Sequence, residues 1–559
     1  MARKTTAEKL ATIQKGYALE GATIELGAAI IDGELHKDAP VRLPLAMMNR
    51  HGLVAGATGT GKTVTLHMMA EQLSTAGVPV FLADIKGDLS GLATAATGSE
   101  KLSARTESIG QPWQGRRFPV EFLALGGDGN GVPVRATVSS FGPILLSRIM
   151  ELNDTQESSL QLVFYFADKN GLELVDLKDL RAVIQFLTSA EGKGQLKELG
   201  GLSKATAGVI LRELVNLEAQ GLEKFFGEPE FDTAELLRTA PDGRGVITCL
   251  ELPTLQTKPM LFSTFLMWLL ADLFEDLPEA GDLDKPKLVF FLDEAHLLFN
   301  GASKAFLEAI TTTVRLIRSK GVGIFFVTQT PKDVPADVLG QLANRVQHAL
   351  RAFTPEDAKA LKATVSTFPV SDYDLEETLT SAGIGEAVIT VMNDKGAPTP
   401  VAHTRLRAPE SVMGPSEEAL VRSTVAGSAL LPKYGTAVDN PSAYEKLAGK
   451  TAAPTGPAAE VPGPLDVDEE ARRIEEEILG RPSSRTSSKP ASRRDKTPVE
   501  APPRQPQPQP GGGMMDDLGA VLGGALGGGL KSMARSVGTQ LGRELLRGVF
   551  GTSSRRRRR

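Results

Sequence analysis

His51-Gly-Leu-Val-Ala-Gly-Ala-Thr-Gly-Thr-Gly-Lys-Thr-Val-Thr-Leu66 decides how the rest of this chain is read. Gly56, Gly61, Lys62 and Thr63 fill the template G-x-x-x-x-G-K-[ST], with a short apolar run before it and a helical pattern, Val64 to Leu73, after it. That is a phosphate-binding loop in the strand-to-helix setting it needs. Its segment Gly56-Ala57-Thr58-Gly59-Thr60-Gly61-Lys62-Thr63 explains itself chemically. Glycines let backbone N–H groups turn inward around a phosphate, and the new helix aims its positive dipole end at the same anion. Lys62 is expected to reach the β- and γ-phosphates, and the Thr63 hydroxyl to hold Mg²⁺. A chance glycine-rich turn is the alternative, and the flanking strand and helix patterns speak against it.

A second landmark is Lys287-Leu-Val-Phe-Phe-Leu-Asp-Glu-Ala-His-Leu-Leu-Phe299. Its apolar run reads as a buried parallel strand, and Asp293 and Glu294 fall where that strand emerges on the ligand edge of the sheet. This is a Walker B pattern. Asp293 is assigned to the metal shell and Glu294 to polarising the attacking water. A further buried strand, Val322 to Val327, ends in Thr328-Gln329-Thr330-Pro331, and Gln329 there is suited to sensing the γ-phosphate or orienting water. The strand Val78 to Ala83 ends in Asp84-Ile-Lys-Gly-Asp88, where Asp84 suits either the metal shell or a turn cap, and Lys-Gly is a turn signal.

Outside these landmarks the pattern sets the organisation. Residues 1–50 hold two β-like runs, Ala22 to Ile31 and Pro40 to Leu45, and no strong helix. Residues 51–140 form the first part of a nucleotide-binding core. Between 141 and 240 the apolar period becomes helical, as in Ile144, Leu145, Ile149 and Leu152, which predicts an insertion of several helices. Residues 241–410 complete the core. Residues 411–515 read as a linker, largely disordered and rich in Pro, Ser and Gln over 450–515, and 516–559 as a Gly-rich, amphipathic tail ending in Arg555 to Arg559. That basic amphipathic piece suits a membrane surface, nucleic acid or another protein surface.

Charge and cysteine usage bound the function. The chain of 559 residues has net charge −6, but residues 481–559 carry +11 and residues 1–480 carry −17. An acidic body counts against gripping DNA over its whole surface, although a ring pore needs only a local lining. The single cysteine, Cys249, rules out an internal disulfide and a cysteine metal cage, and the six histidines show no ligand spacing. With no apolar signal core and no run long enough to span a bilayer, the expected location is the cytoplasm.

Together these pieces resemble the HerA/FtsK-type ATPases, and within them the bacterial HerA-like proteins of the YjgR type. The resemblance rests on Gly56 to Thr63, Asp84-Ile-Lys-Gly-Asp88, Leu145-Leu-Ser-Arg-Ile-Met-Glu-Leu-Asn153, Leu292-Asp-Glu-Ala-His296 and Arg318-Ser-Lys-Gly-Val-Gly-Ile-Phe-Phe-Val-Thr-Gln-Thr-Pro331, over about residues 20–410. It implies an α/β fold: a RecA-like P-loop NTPase core of the ASCE class, with a mostly parallel sheet. It also implies ATP and Mg²⁺ as cofactors, a homo-hexameric ring, and Arg318 acting on a neighbour's nucleotide, with Arg345 and Arg351 as weaker candidates. DNA is the polymer such a motor would translocate. The alternative function is an ATP-switched interaction or remodelling protein. About fifty N-terminal residues are too few for the β-barrel by which larger HerA proteins dock a nuclease, so no nuclease partner is inferred. Asp293-Glu-Ala-His296 also invites a DEAH-box reading, but the chain shows neither a second RecA-like lobe nor the arginine-rich motif that reading requires.

Overall fold

A computed structural model describes residues 4–125, 129–197, 200–252, 259–300, 302 and 304–451. The expected linker beyond residue 451 and the tail 516–559 lie outside the described residues.

Twelve strands among the described residues make one sheet. In chain order they are β1 (Thr23–Ile31), β2 (Glu34–Pro44), β3 (Gly52–Ala55), β4 (Val80–Asp84), β5 (Val120–Leu125) and β6 (Val132–Val134). Then follow β7 (Ile247–Glu251), β8 (Leu288–Leu292), β9 (Val322–Thr328), β10 (Asn344–His348), β11 (Glu386–Thr390) and β12 (Ala402–Leu406). Their spatial order is β2-β1-β12-β11-β10-β3-β9-β8-β4-β7-β5-β6. Every pairing from β10 to β6 is parallel, and every pairing from β2 to β10 is antiparallel.

Each residue of β3, β4, β8 and β9 is buried, as a sheet covered on both faces requires. Alternation sends neighbours to opposite layers. Val54, Leu82, Phe291 and Val327 face one layer, with the helix Lys62–Thr75 and the β1–β2 hairpin. Leu53, Phe81, Phe290 and Phe326 face the other, with the helix Pro259–Asp276 and the inserted helices. Trp268 and Phe265 at the centre of the helix Pro259–Asp276 are buried against Phe225. The inserted helices are Val138–Ile149, Asp154–Lys169, Leu177–Thr188 and Lys204–Ala219.

Three features differ from expectation. Residues 1–50 contain a helix, Thr6–Gly16, started by a capping box between Thr5 and Glu8. Its apolar contribution is slight, with Ile13 its one buried residue, so the periodicity was faint. The two N-terminal strands also do not stand apart: β1 pairs with β12, Ala28 opposite Arg405, so the hairpin extends the sheet of the core. Finally, residues 411–451 are ordered rather than linker. Leu430, Tyr434, Ala443 and Leu447 are buried in the same core layer as the inserted helices, Tyr434 on Phe231 and the helix Ala443–Thr451 on Leu177–Thr188, and Asp179 accepts from Ser442 Oγ at 2.5 Å and from Tyr444 N at 2.9 Å. Few apolar residues, widely spaced, carry this packing, which is why composition alone suggested a linker.

Candidate nucleotide site

The strand order brings the two landmarks together. β9 lies between β3 and β8, so the loop after β3 and the carboxylates after β8 flank the end of one strand. Backbone hydrogen bonds fix that edge: Gly56 N donates to Thr328 O at 3.2 Å, Ala57 N to Ala349 O at 2.9 Å, and Ala295 N to Val327 O at 2.9 Å.

The loop itself is shaped to hold an anion. Gly61 has φ +110° and precedes the helix Lys62–Thr75, whose start has no side-chain cap. Its first-turn N–H groups are thereby left to a ligand. A Cβ on Gly56 would sit 2.4 Å from His348 Cβ, so glycine is required there. Lys62 lies over the loop, its Nζ donating to Gly56 O at 2.7 Å and Ala57 O at 3.3 Å, and burial lowers its pKa. Thr60 O accepts from Gly385 N at 3.1 Å, which ties the loop to the start of β11. Thr58 and Gly59 at the loop tip are exposed, and Thr63 is half-buried on the first helical turn.

On the other side of β9, Asp293 and Glu294 are both buried. Burial pushes Asp293 up to about 6, and its Oδ1 accepts from Glu294 N at 2.8 Å. Glu294 has φ +46°, in the left-handed region, so its side chain leaves the strand in a different direction from that of Asp293. Glu294 Oε1 is ion-paired with Lys86, and Oε2 lies 3.3 Å from His296 Nδ1. Thr63 and Asp293 offer oxygen donors of the hard type that Mg²⁺ prefers, one hydroxyl and one carboxylate. A cage of three or more protein ligands does not occur among the described residues. Such a pair suits an ion that takes its remaining ligands from water and phosphate.

The remaining candidates divide. Gln329 is exposed immediately after β9, at the same edge as Gly56 and Glu294. Asp84 is a turn cap: its oxygens accept from Gly87 N at 2.7 Å and Leu89 N at 3.0 Å. Arg318 stands before β9, at the opposite sheet edge, near Arg50, whose charge adds to burial in lowering its pKa. The seven residues of β9 separate it from its own phosphate loop by about 20 Å. Arg345 is committed to Thr367, through the carbonyl oxygen at 3.4 Å and the hydroxyl, whereas Arg351 is exposed beyond β10.

Two residues at the site escaped the sequence reading. Lys86 was visible only as part of a turn, because its partner lies 208 residues away. His348 follows no ligand spacing; what placed it under the loop is the parallel pairing of β10 with β3.

A family model described as "Helicase HerA-like C-terminal" matches residues 30–559. The DNA double-strand break repair helicase HerA of Saccharolobus solfataricus is 22% identical over 395 residues, covering 69% of each chain. Among solved structures, the plasmid coupling protein TrwB in complex with the non-hydrolysable ATP analogue ADPNP aligns with TM-score 0.48 and 15% identity, covering 74% of this chain and 96% of that one. VirB4 of Thermoanaerobacter pseudethanolicus aligns with TM-score 0.43 and 15% identity, over 70% and 97%.

Proposed function

We propose, from the premise that this chain belongs to the helicase HerA-like C-terminal family and is a P-loop ATPase of the HerA/FtsK type, that it is an Mg²⁺-dependent motor which assembles as a homo-hexamer and translocates DNA. The observation that carries the hydrolytic part is the placement of Lys62 and Glu294 on either side of the end of β9. DNA as the polymer is supported by the family and by the similarity to a DNA repair helicase.

In this reading Lys62 exchanges the carbonyls of Gly56 and Ala57 for phosphate oxygens, and the uncapped helix start supplies further N–H donors. Thr63 and Asp293 hold the metal, which when bound neutralises charge on the phosphates. Glu294 accepts a proton from the attacking water, and Gln329 helps to orient that water. Arg318, too far from its own loop, serves a neighbouring subunit's site.

The test is steady-state ATP hydrolysis by the full chain, with and without single- and double-stranded DNA, alongside mass measurement of the assembly. Stimulation by DNA with a hexameric mass is expected. One observation favours a second reading, an ATP-switched interaction protein: the acidic balance of residues 1–480, net −17. Hydrolysis indifferent to DNA would select it. Among the described residues no helix is long and apolar enough to cross a membrane. Cytoplasmic location remains part of the proposal.

A further inference from the structure

Of the two Glu294 carboxylate oxygens, Oε2 is buried and Oε1 carries the ion pair with Lys86. Glu294 Oε1 receives the Lys86 ammonium, and a lone pair so engaged is not available to take a proton from water. We propose that Lys86 is a positioning residue that holds Glu294 in a resting arrangement, and that hydrolysis requires the pair to part. This rests on the reading of Glu294 as the base.

Lys86 is placed by a built loop. β4 and β8 are paired neighbours, with Ala83 opposite Leu292, so Lys86 and Glu294 leave adjacent strand ends. The buried Asp84 clamps the turn through Gly87 N and Leu89 N, and Gly87 takes φ +73°, a conformation that favours glycine. The turn therefore fixes the lysine backbone while its long side chain stays free to swing.

The two partners are unequal in mobility. The Glu294 side chain is 9% exposed and its backbone sits at φ +46°, whereas the Lys86 side chain is 48% exposed. Moving the glutamate means repacking, but the lysine can withdraw into solvent. It also has a second seat: Asp88 Oδ1 is buried without a hydrogen-bond partner among the described residues, two positions along the same turn. When the lysine leaves, Glu294 Oε2 stays buried, 3.3 Å from His296 Nδ1 and without a hydrogen bond to it, while Oε1 becomes available.

The experiment uses the full-length protein and compares wild type, Lys86→Met, Lys86→Arg, Glu294→Gln and the double variant Lys86→Met/Glu294→Gln by basal Mg–ATP hydrolysis. Lys86→Met should raise kcat about tenfold and leave KM within about twofold, while Lys86→Arg, which keeps a cation, stays near wild type. A merely structural role would instead lower kcat together with thermal stability. Unchanged or reduced kcat in Lys86→Met overturns the restraint, and a reduced value rescued by Lys86→Arg would make Lys86 a direct phosphate contact. The glutamate variants separate this from the underlying reading. Near-normal hydrolysis in Glu294→Gln would remove Glu294 as the base, whereas a large loss in both backgrounds with no gain from Lys86→Met would leave the base in place and reject the latch.

Discussion

His348 Nε2 lies 2.9 Å from Thr65 Oγ1, joining the end of β10 to the helix that follows the phosphate loop. Both groups are buried, and His348 also fills the space that the missing Gly56 side chain leaves. We predict that His348→Ala leaves the Thr65 hydroxyl only its longer bond to Gly61 O at 3.3 Å, empties the space under the loop and costs about 2 kcal/mol of stability. Nucleotide affinity should fall as well, because the loop loses its support from below. Urea unfolding and nucleotide titration check both, and wild-type values for each would show that the contact is idle.

The same residue predicts a pH dependence. Burial lowers His348 to about 4, and His51 and His67 likewise to about 4. Between that value and the unfolded pKa, about 6.5, the unfolded chain binds more protons, so each histidine makes stability fall as the pH drops, by at most about 1.4 kcal/mol per pH unit. Glu71, raised to about 7, and Asp84, raised to about 6, act in the opposite direction, so the clean measurement is a difference. Stability of wild type minus that of His348→Gln should shrink from pH 7 to pH 4. A constant difference would place the His348 pKa near its ordinary value.

For the hydrolytic pair, Lys62→Ala is expected to weaken ATP binding and abolish turnover. Glu294→Gln should bind ATP yet hydrolyse it at least about 10²-fold more slowly. Single-turnover kinetics beside equilibrium binding separate the two effects. If Lys62→Ala binds and turns over normally, the phosphates lie elsewhere.

Arg318 tests the ring. Its position before β9 keeps it from its own loop, and a guanidinium supplied across a boundary is worth roughly 10³–10⁵ in rate. Arg318→Ala and Lys62→Ala should each be inactive, while rings mixed from both regain partial hydrolysis at interfaces that combine an intact Arg318 with an intact Lys62. No recovery in rings shown to contain both chains would assign Arg318 to the helix end alone.

The segment after residue 410 predicts where the chain can be cut. Glu71, on the phosphate-loop helix, accepts from Glu410 N at 2.8 Å and Ser411 N at 2.9 Å, and Tyr434 packs on Phe231 with ring centroids 5.1 Å apart. Ending the chain at residue 410 strips Glu71 Oε1 of its Ser411 donors and Asp179 Oδ1 of Ser442 and Tyr444, and uncovers Leu430's neighbours, costing about 3 kcal/mol or more. A protein ending at residue 451 should fold and bind ATP, and one ending at 410 should be unstable to heat and protease. Equal thermal midpoints for the two would show that residues 411–451 add nothing.

What the sequence determined by itself is the local chemistry. Gly56 to Thr63 needs a strand before it and a helix after it, and the short apolar runs ending at Leu292 and Val327 read as strands buried on both faces. These constraints act over a few residues, so spacing and periodicity expose them. Strand order and long-range pairing were decided by the tertiary structure. It set β9 between β3 and β8, drew the N-terminal hairpin onto β12, seated Tyr434 on Phe231 and the helix Ala443–Thr451 on Leu177–Thr188, and brought Lys86 to Glu294 and His348 to Thr65. Each of those contacts joins residues far apart in the chain, and its worth comes from burial and charge at the meeting point, which neither partner's own neighbours reveal.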